Sequence, residues 1–307
     1  MRQESWASIW NQLMRRCWIA TSDISNRWGF SQKARSTDEK FLCWIARFIL
    51  SYFVKIMHRT WFQSKKHPDA SSLNTHVFGF PYAGGSATSL RPLEETVNPE
   101  ISLHLATLPG RGRRFGEPAT SDISVLVNGF CDAIERITPQ RFVLFGHSMG
   151  GILAFEVARA LRRRRNRFKP VALVASGVSA PHLFAREEKE HRYNLPRDEF
   201  VEYLRELEGT PPELLEHEEA LNVMLPTLRR DFELCDTYRF VMESPLSVPI
   251  VVLSGVDDHH VQGKKVTDWS LHTTAGCRVH RFSGGHFFLN DHWEEIGALL
   301  GELVMPQ

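Results

Sequence analysis

A pentapeptide of the form G-x-S-x-G, Gly146-His147-Ser148-Met149-Gly150, stands between two apolar runs in the 307-residue chain. Residues 142–145 before it suit a buried strand, and residues 151–158 after it have the composition of a helix. Between a strand and a helix, such a pentapeptide holds its serine on a sharp, strained turn with the hydroxyl exposed. The two glycines leave room for that turn, because a side chain at either position would clash. We therefore interpret Ser148 as a nucleophile.

Strand-like runs alternate with helical patterns from residue 76 onward. The runs are residues 76–80, 101–106, 141–145, 171–175, 250–253 and 278–282. Between the second and third runs, one helical face collects Ile123, Leu126, Val127, Phe130 and Ile134. Strands separated by helices imply right-handed crossovers, and these predict an α/β fold with a mostly parallel central sheet and helices on both faces.

Residues 181–247 interrupt this alternation with helical patterns and no convincing strand. Leu195-Pro196 predicts the start of one helix, and Pro211-Pro212 predicts the start of another. A helical insertion beside a catalytic strand is typical of a lid that shapes a substrate pocket. The sequence therefore predicts a lid over about 181–247.

A serine nucleophile needs a base to take its proton and an acid to orient that base. The strand at 250–253 leads to Asp257-Asp258, and the strand that ends at Phe282 leads to Gly284-Gly285-His286. Both loops leave the carboxyl edge of a parallel sheet, where catalytic groups gather, in the chain order serine, acid, histidine. We predict His286 as the base and Asp258 as the acid, with Asp257 as the alternative acid.

Three other histidines are weaker candidates for the base. His259 and His260 lie in the acid loop, and His147 occupies the variable position beside the serine. None of them follows the last strand, as the base does in this chain order.

An oxyanion formed at the serine needs two backbone N–H donors. The residue after the serine, Met149, is predicted to supply one of them. The second is expected from residues 81–86, a glycine-containing loop after an early strand, where Ala83 is preferred and Tyr82 is the alternative. No metal or redox cofactor is expected in such a site.

Two arginine clusters are not required by this constellation. Residues 162–165 predict a solvated helix end, which the helix dipole favours. Arg111, Arg113 and Arg114 follow a Pro-Gly pair in a loop, either as ordinary exposed side chains or in contact with an acidic partner or a phosphate.

The formal charge of +1 is unevenly distributed along the chain. Residues 1–56 carry nine Lys and Arg against four Asp and Glu, a net charge of +5, and the remainder carries 28 against 32, a net charge of −4. The basic excess therefore belongs to an N-terminal basic and aromatic extension, and no nucleic-acid partner is expected.

The extension is predicted to be poorly ordered, with an interfacial anchor or a targeting peptide as alternatives. Met57 is a plausible alternative start for a domain at 57–307, and residues 63–74 are polar and predict a linker or a lead-in loop.

Five scattered cysteines without a C-x-x-C pair suit a reducing compartment, and they argue against a disulfide framework or a zinc site.

The best candidate for a membrane span is residues 41–62, but Arg47, Lys55 and Arg59 interrupt it. Its longest uncharged piece, residues 48–54, is far shorter than the roughly 20 residues that span a bilayer. We expect a cytoplasmic protein without stable membrane insertion.

Several ordered motifs in residues 57–307 resemble the type II thioesterases that accompany polyketide and nonribosomal peptide synthases. The motifs are Phe80-Pro81-Tyr82-Ala83-Gly84-Gly85-Ser86, Leu108-Pro109-Gly110-Arg111-Gly112 with Gly116-Glu117-Pro118, the serine pentapeptide, Gly209-Thr210-Pro211-Pro212, Leu228-Arg229-Arg230-Asp231-Phe232 and Gly284-Gly285-His286-Phe287, after an opening Trp61-Phe62. The resemblance implies an α/β-hydrolase fold with a helical lid insertion. The N-terminal extension departs from the family pattern, as does Glu208, which replaces a usual glycine before Gly209.

The resemblance also implies an activity and a partner. Members hydrolyse acyl thioesters on the phosphopantetheine arm of acyl carrier or peptidyl carrier proteins, either to edit stalled carriers or to release chains. Ser148, Asp258 and His286 fall on the family's triad positions, and Ala83 and Met149 fall on its oxyanion positions. The alternatives are a general carboxylesterase or lipase acting on free esters, and a non-catalytic protein that binds carrier domains.

Overall fold

The computed structural model describes residues 61–65, 75–164, 168–186, 191–207 and 209–305. The extension predicted for residues 1–56 and the domain start at residue 57 lie outside the described residues, as do Arg165 and Glu208.

The described residues form seven strands and nine α-helices, named here in chain order. The strands are β1 (Phe62–Lys65), β2 (Thr75–Phe80), β3 (Ser102–Ala106), β4 (Arg141–His147), β5 (Ala172–Ser176), β6 (Ile250–Gly255) and β7 (Cys277–Phe282). The helices are α1 (Leu93–Thr96), α2 (Ile123–Ile137), α3 (Met149–Arg163), α4 (Pro181–Phe184), α5 (Arg197–Glu206), α6 (Pro212–Leu215), α7 (Glu218–Thr237), α8 (Lys264–Thr267) and α9 (Trp293–Val304). Short 3-10 turns supplement them.

The strands form one sheet in the order β1-β3-β2-β4-β5-β6-β7. Every neighbouring pair from β3 to β7 is parallel, whereas β1 pairs antiparallel with β3, with Phe62 opposite Ala106. The predicted mostly parallel sheet is therefore confirmed. The polar linker predicted for residues 63–74 is wrong at its start, because residues 63–65 continue the edge strand β1.

The sheet is covered on both faces. Alternate residues of β4 point to opposite sides, so that Phe142 and Leu144 pack into the core formed with α2 and α3. Val143 and Phe145 pack into the core that contains the buried residues of α9. This alternation with a period of two residues places the end of β4 at the centre of a rigid, two-sided core.

Helix α2 shows how local sequence directs this packing. Its N-cap is Asp122, whose side chain accepts a hydrogen bond of 2.8 Å from the Ser124 N–H. The predicted apolar face is buried at Leu126, Val127, Phe130 and Ile134, with Ile123 packed at its margin.

Helices α4 to α7 occupy the segment between β5 and β6 for which the sequence predicts a lid. The predicted starts at Pro196 and Pro211 are the N-cap residues of α5 and α6. The lid has a small apolar core of its own, which consists of Phe200, Val201, Leu204, Leu215, Leu221, Leu225 and Leu228.

Candidate active site

Ser148 lies between β4 and α3 in a conformation that non-glycine residues rarely adopt, with φ 54° and ψ −123°. The flanking glycines permit this turn. A Cβ atom on Gly146 would lie 2.0 Å from the carbonyl oxygen of Gly150, and one on Gly150 would lie 2.0 Å from the carbonyl oxygen of Phe80. The turn therefore stores backbone strain at the serine, and close packing against the end of β2 maintains that strain.

Asp258 and His286 meet where β6 and β7 end. His286 Nδ1 lies 2.8 Å from Asp258 Oδ2, and the Asp258 side chain is fully buried. The two loops approach closely at Gly255, where a Cβ atom would lie 2.3 Å from the carbonyl oxygen of Gly285. Asp257, the alternative acid, is exposed, and its N–H donates to the Gly284 carbonyl at 3.0 Å. The geometry therefore favours Asp258 as the partner of His286.

The ionisation of Asp258 determines the role of His286. Burial by itself would raise the pKa of Asp258, but hydrogen bonding and charge interaction with His286 outweigh burial, and the pKa lies below its usual value. An ionised carboxylate only accepts hydrogen bonds, so Nδ1 of a neutral His286 must carry the proton. Its Nε2 is then left as the basic nitrogen.

The loop after β2 contains the predicted second oxyanion donor. The Gly85 N–H donates to the Tyr82 carbonyl at 2.9 Å, and Gly84 takes φ +80° at the third position of this turn. A type II turn requires such a φ at that position, and glycine satisfies the requirement without strain. Ala83, in the centre of the turn, lines the same cavity as Ser148. Met149 is the first residue of α3.

A cavity of about 530 Å³ lies between the sheet edge and the lid. Ser148 and His286 both line it, together with Tyr82, Ala83 and Phe287 of the body. Its lid side is lined by Phe184, Arg192, Tyr203, Leu204, Leu207, Gly209, Thr210, Phe232, Cys235 and Asp236. The cavity is large enough for an extended organic ligand, and Ser148 lies in its wall.

The three weaker histidine candidates do not occupy the base position. His147 is fully buried, with Nδ1 2.9 Å from Ser176 Oγ, and its ring centroid lies 5.2 Å from that of His286. Burial, and then the charge of His286, hold the pKa of His147 well below its usual value. His260 contacts Asp258 through its backbone N–H, which donates to Oδ1 at 3.0 Å, and His259 is exposed.

The arginine cluster after Pro109-Gly110 is largely engaged within the chain. Arg111 is buried and forms a two-pronged ion pair with Asp231, with both N···O distances 2.6 Å. Arg114 pairs with Glu117 at 2.6 Å and stacks over Trp61. The acidic partners of Arg111 and Arg114 are thus residues of this same chain. Arg113 is exposed.

The second cluster, at the end of α3, is less solvated than predicted. Arg162 and Arg163 pair with Glu243, and Arg164 pairs with Asp132. These contacts tie the helix end to neighbouring elements, although Arg163 itself remains exposed.

Asp231 also belongs to this site, although the sequence did not predict a role for it there. It is 1% exposed on α7, and its carboxylate also accepts a 2.7 Å hydrogen bond from the Gly84 N–H. The sequence did contain a signal for this role. Asp231 lies at helical spacing from Leu221, Leu225 and Leu228, so that its carboxylate falls on the apolar face of the helix. A charge on such a face predicts a buried ionic partner.

The fold, the lid and the cavity define an α/β-hydrolase. Residues 75–302 match the model of the thioesterase family, described as a thioesterase domain. The chain therefore belongs to the thioesterase family, and the resemblance to type II thioesterases is confirmed. It is an enzyme that hydrolyses thioesters.

Individual relatives are similar over most of their length. The protein named linear gramicidin dehydrogenase LgrE, of Brevibacillus parabrevis, is 38% identical over 227 residues, which cover 73% of this chain and 85% of that protein. The RedJ thioesterase from the prodiginine pathway of Streptomyces coelicolor is 32% identical, with a TM-score of 0.71 over 78% of this chain and 94% of its own. The type II thioesterase BorB, from the borrelidin biosynthetic cluster, is 31% identical, with a TM-score of 0.71 over 79% of this chain and 97% of its own.

None of the described helices is both long and apolar enough to cross a bilayer. Among the same residues, no group of His, Cys, Asp and Glu side chains is arranged to hold a metal ion.

Proposed function

We propose that this thioesterase removes acyl groups from the phosphopantetheine arm of acyl carrier or peptidyl carrier proteins. The observation that carries the proposal is the lidded cavity of about 530 Å³, which has Ser148 and His286 in its wall. Such a cavity can hold an acyl chain beside the nucleophile. The biosynthetic origins of RedJ and BorB support a role in the editing or release of chains on carriers.

In the first step, Ser148 Oγ attacks the thioester carbonyl while His286 Nε2 accepts the serine proton. Asp258 holds the imidazole through Nδ1 and stabilises the imidazolium that forms. The N–H groups of Ala83 and Met149 stabilise the oxyanion of the tetrahedral intermediate. The C–S bond then breaks, and the departing phosphopantetheine thiolate takes the proton from His286.

In the second step, a water molecule attacks the acyl-serine ester. His286 removes the water proton during the attack and returns it to Ser148 Oγ as the ester bond breaks. The products are a free carboxylic acid and the regenerated serine. Apart from the water, side chains and backbone donors of this chain supply every group that the two steps use.

A substrate panel tests this proposal. Hydrolysis is measured for acyl carrier protein thioesters of varied chain length and branching, alongside the matching free thioesters and oxygen esters. We expect a higher kcat/KM for the carrier-bound thioesters. Equal or better turnover of free oxygen esters would favour a general carboxylesterase or lipase, and failure of a fluorophosphonate probe to label Ser148 would favour a non-catalytic binding protein.

A further inference from the structure

The loop that carries Ala83 is attached to the lid by a buried carboxylate. Asp231 on α7 accepts a 2.7 Å hydrogen bond from the Gly84 N–H, the amide directly after Ala83. One turn earlier on α7, Leu228 packs so closely that a Cβ atom on Gly84 would lie 2.3 Å from its Cδ2 atom. The loop therefore rests directly on the lid helix.

Arg111 completes the attachment from a third element, the loop after β3. Its Nη1 donates to Asp231 Oδ2 at 2.6 Å and to the Gly85 carbonyl at 3.0 Å, and its Nη2 donates to Asp231 Oδ1 at 2.6 Å. Both charged side chains are buried, Arg111 at 9% exposure and Asp231 at 1%. Such charge-assisted, two-pronged bonds fix orientation more strictly than neutral hydrogen bonds do.

We infer that Asp231 and Arg111 are positioning residues that hold the oxyanion loop in its working geometry and make that geometry depend on the lid helix. The inference rests on the oxyanion role proposed above for Ala83. The bonds to the Gly84 N–H and the Gly85 carbonyl hold the peptide units 83–84 and 85–86, which follow Ala83, and so they restrain the direction of its N–H. A displacement of α7 from the body would carry the carboxylate with it and leave the loop without this support.

The test replaces the ion pair without leaving a charge buried alone. In the double variant Arg111→Met with Asp231→Leu, two apolar side chains of similar size fill the space, an exchange that proteins often tolerate without loss of stability. This variant keeps the packing but removes the bonds to Gly84 and Gly85. We expect kcat to fall about 30-fold, with KM within about threefold of the parent. This loss is smaller than the roughly 10²–10³-fold lost when an oxyanion donor is removed, because here the donor is displaced rather than absent.

Arg114→Gln is the matched control. Arg114 is as buried as Arg111 and lies in the same loop, but its side chain contacts Glu117, Trp61 and the Thr107 carbonyl rather than the oxyanion loop or the lid. We expect this variant to lower the melting temperature while kcat stays within about twofold of the parent. A second readout is inhibition by an alkyl boronic acid, whose serine adduct resembles the tetrahedral intermediate. Its Ki should rise in the double variant in proportion to the loss of kcat, and should not rise in the control.

A folded double variant with kcat and Ki within about threefold of the parent would overturn the inference. If the double variant does not fold, the variant Asp231→Asn tests the inference instead. Asparagine keeps the shape of aspartate, but its NH2 group is a donor that faces one of the N–H donors of Arg111. We expect a fall in kcat of at least about fivefold, and parent-like kcat would overturn the inference. The parent and Ser148→Ala are assayed alongside. An inactive parent or an active Ser148→Ala variant would contradict the proposed function. If the parent is active and Ser148→Ala is inactive, an unexpected result in the double variant contradicts only the positioning role.

Discussion

Asp258 Oδ2 and His286 Nδ1 lie 2.8 Å apart, although the two residues are 28 positions apart in the chain. Backbone contacts hold the two loops in register, since the Asp257 N–H donates to the Gly284 carbonyl and the Val256 N–H donates to the Phe282 carbonyl. The sheet edge therefore positions the proposed acid and the proposed base relative to each other.

This arrangement predicts unequal roles for two adjacent acids. Asp258→Asn should lower kcat by roughly 10⁴-fold, because an amide favours the wrong histidine tautomer and does not stabilise the imidazolium. Asp257→Asn, at the exposed neighbouring position, should leave kcat within about twofold. Steady-state hydrolysis of a carrier-bound thioester by the two variants gives the comparison, and a reversed ranking would transfer the acid role to Asp257.

The strained turn at Ser148 predicts that activity and stability change in opposite directions. Ser148→Ala should lose a factor of about 10⁴ or more in kcat and keep the melting temperature of the parent. Ser148→Gly should be equally inactive but more stable by about 1 kcal/mol, because glycine adopts φ 54° without strain. Thermal unfolding should then show a melting temperature about 2–4 °C higher for the glycine variant. A glycine variant less stable than the alanine variant would contradict the strain argument.

Gly150 should tolerate no side chain. A Cβ atom there would lie 2.0 Å from the Phe80 carbonyl oxygen and 2.7 Å from that of Pro81. Gly150→Ala must push back the end of β2, which we expect to cost roughly 1–3 kcal/mol or more and to lower kcat by displacing the oxyanion loop. Gly116→Ala is the control, because nothing lies within 4 Å of its Cβ position, and it should change stability by less than about 0.5 kcal/mol. Denaturant unfolding and kcat measure both effects.

His272 predicts an acid-sensitive stability. Burial, then the charges of His182 and Arg159, lower the pKa of His272 to about 4. Between that value and the ordinary pKa of about 6.5, the unfolded chain binds a proton that the folded chain does not. Stability contributed by neutral His272 is thus complete above about pH 6.5 and is lost as the pH falls towards 4, by on the order of 2 kcal/mol.

The variant His272→Phe should flatten this slope, because it keeps an aromatic ring against Phe155 and Trp269 and removes the titrating group. His259→Gln, at an exposed position, serves as the control and should keep the slope of the parent. Unfolding free energies measured between pH 4 and 7 provide the readout. An unchanged slope in the phenylalanine variant would assign the acid sensitivity to other groups.

Much of the fold follows from local patterns in the sequence. Buried strands such as β4 and amphipathic helices such as α2 carry strong periodic signals. The relation of Ser148, Asp258 and His286 could be anticipated because parallel strands end at a common edge, so that chain order alone brings their loops together.

Features that depend on distant pairing could not be anticipated in the same way. Strand β1 has only four residues, most of them polar, so its sequence carries no clear strand pattern. It forms a strand because it pairs with β3. Arg111 was recognised as basic, but its partner Asp231 lies 120 positions away on a lid helix whose placement depends on tertiary packing.

The ion pair between Arg111 and Asp231 also bears on the engineering of this enzyme. Exchanging lids among related enzymes is an obvious way to alter the acyl chain that the cavity accepts. A transplanted lid without an acid at position 231 would leave a buried guanidinium unpaired, and a transplanted lid with that acid needs an arginine in the recipient loop. The useful unit of exchange is therefore the lid together with residues 108–112, rather than the lid alone.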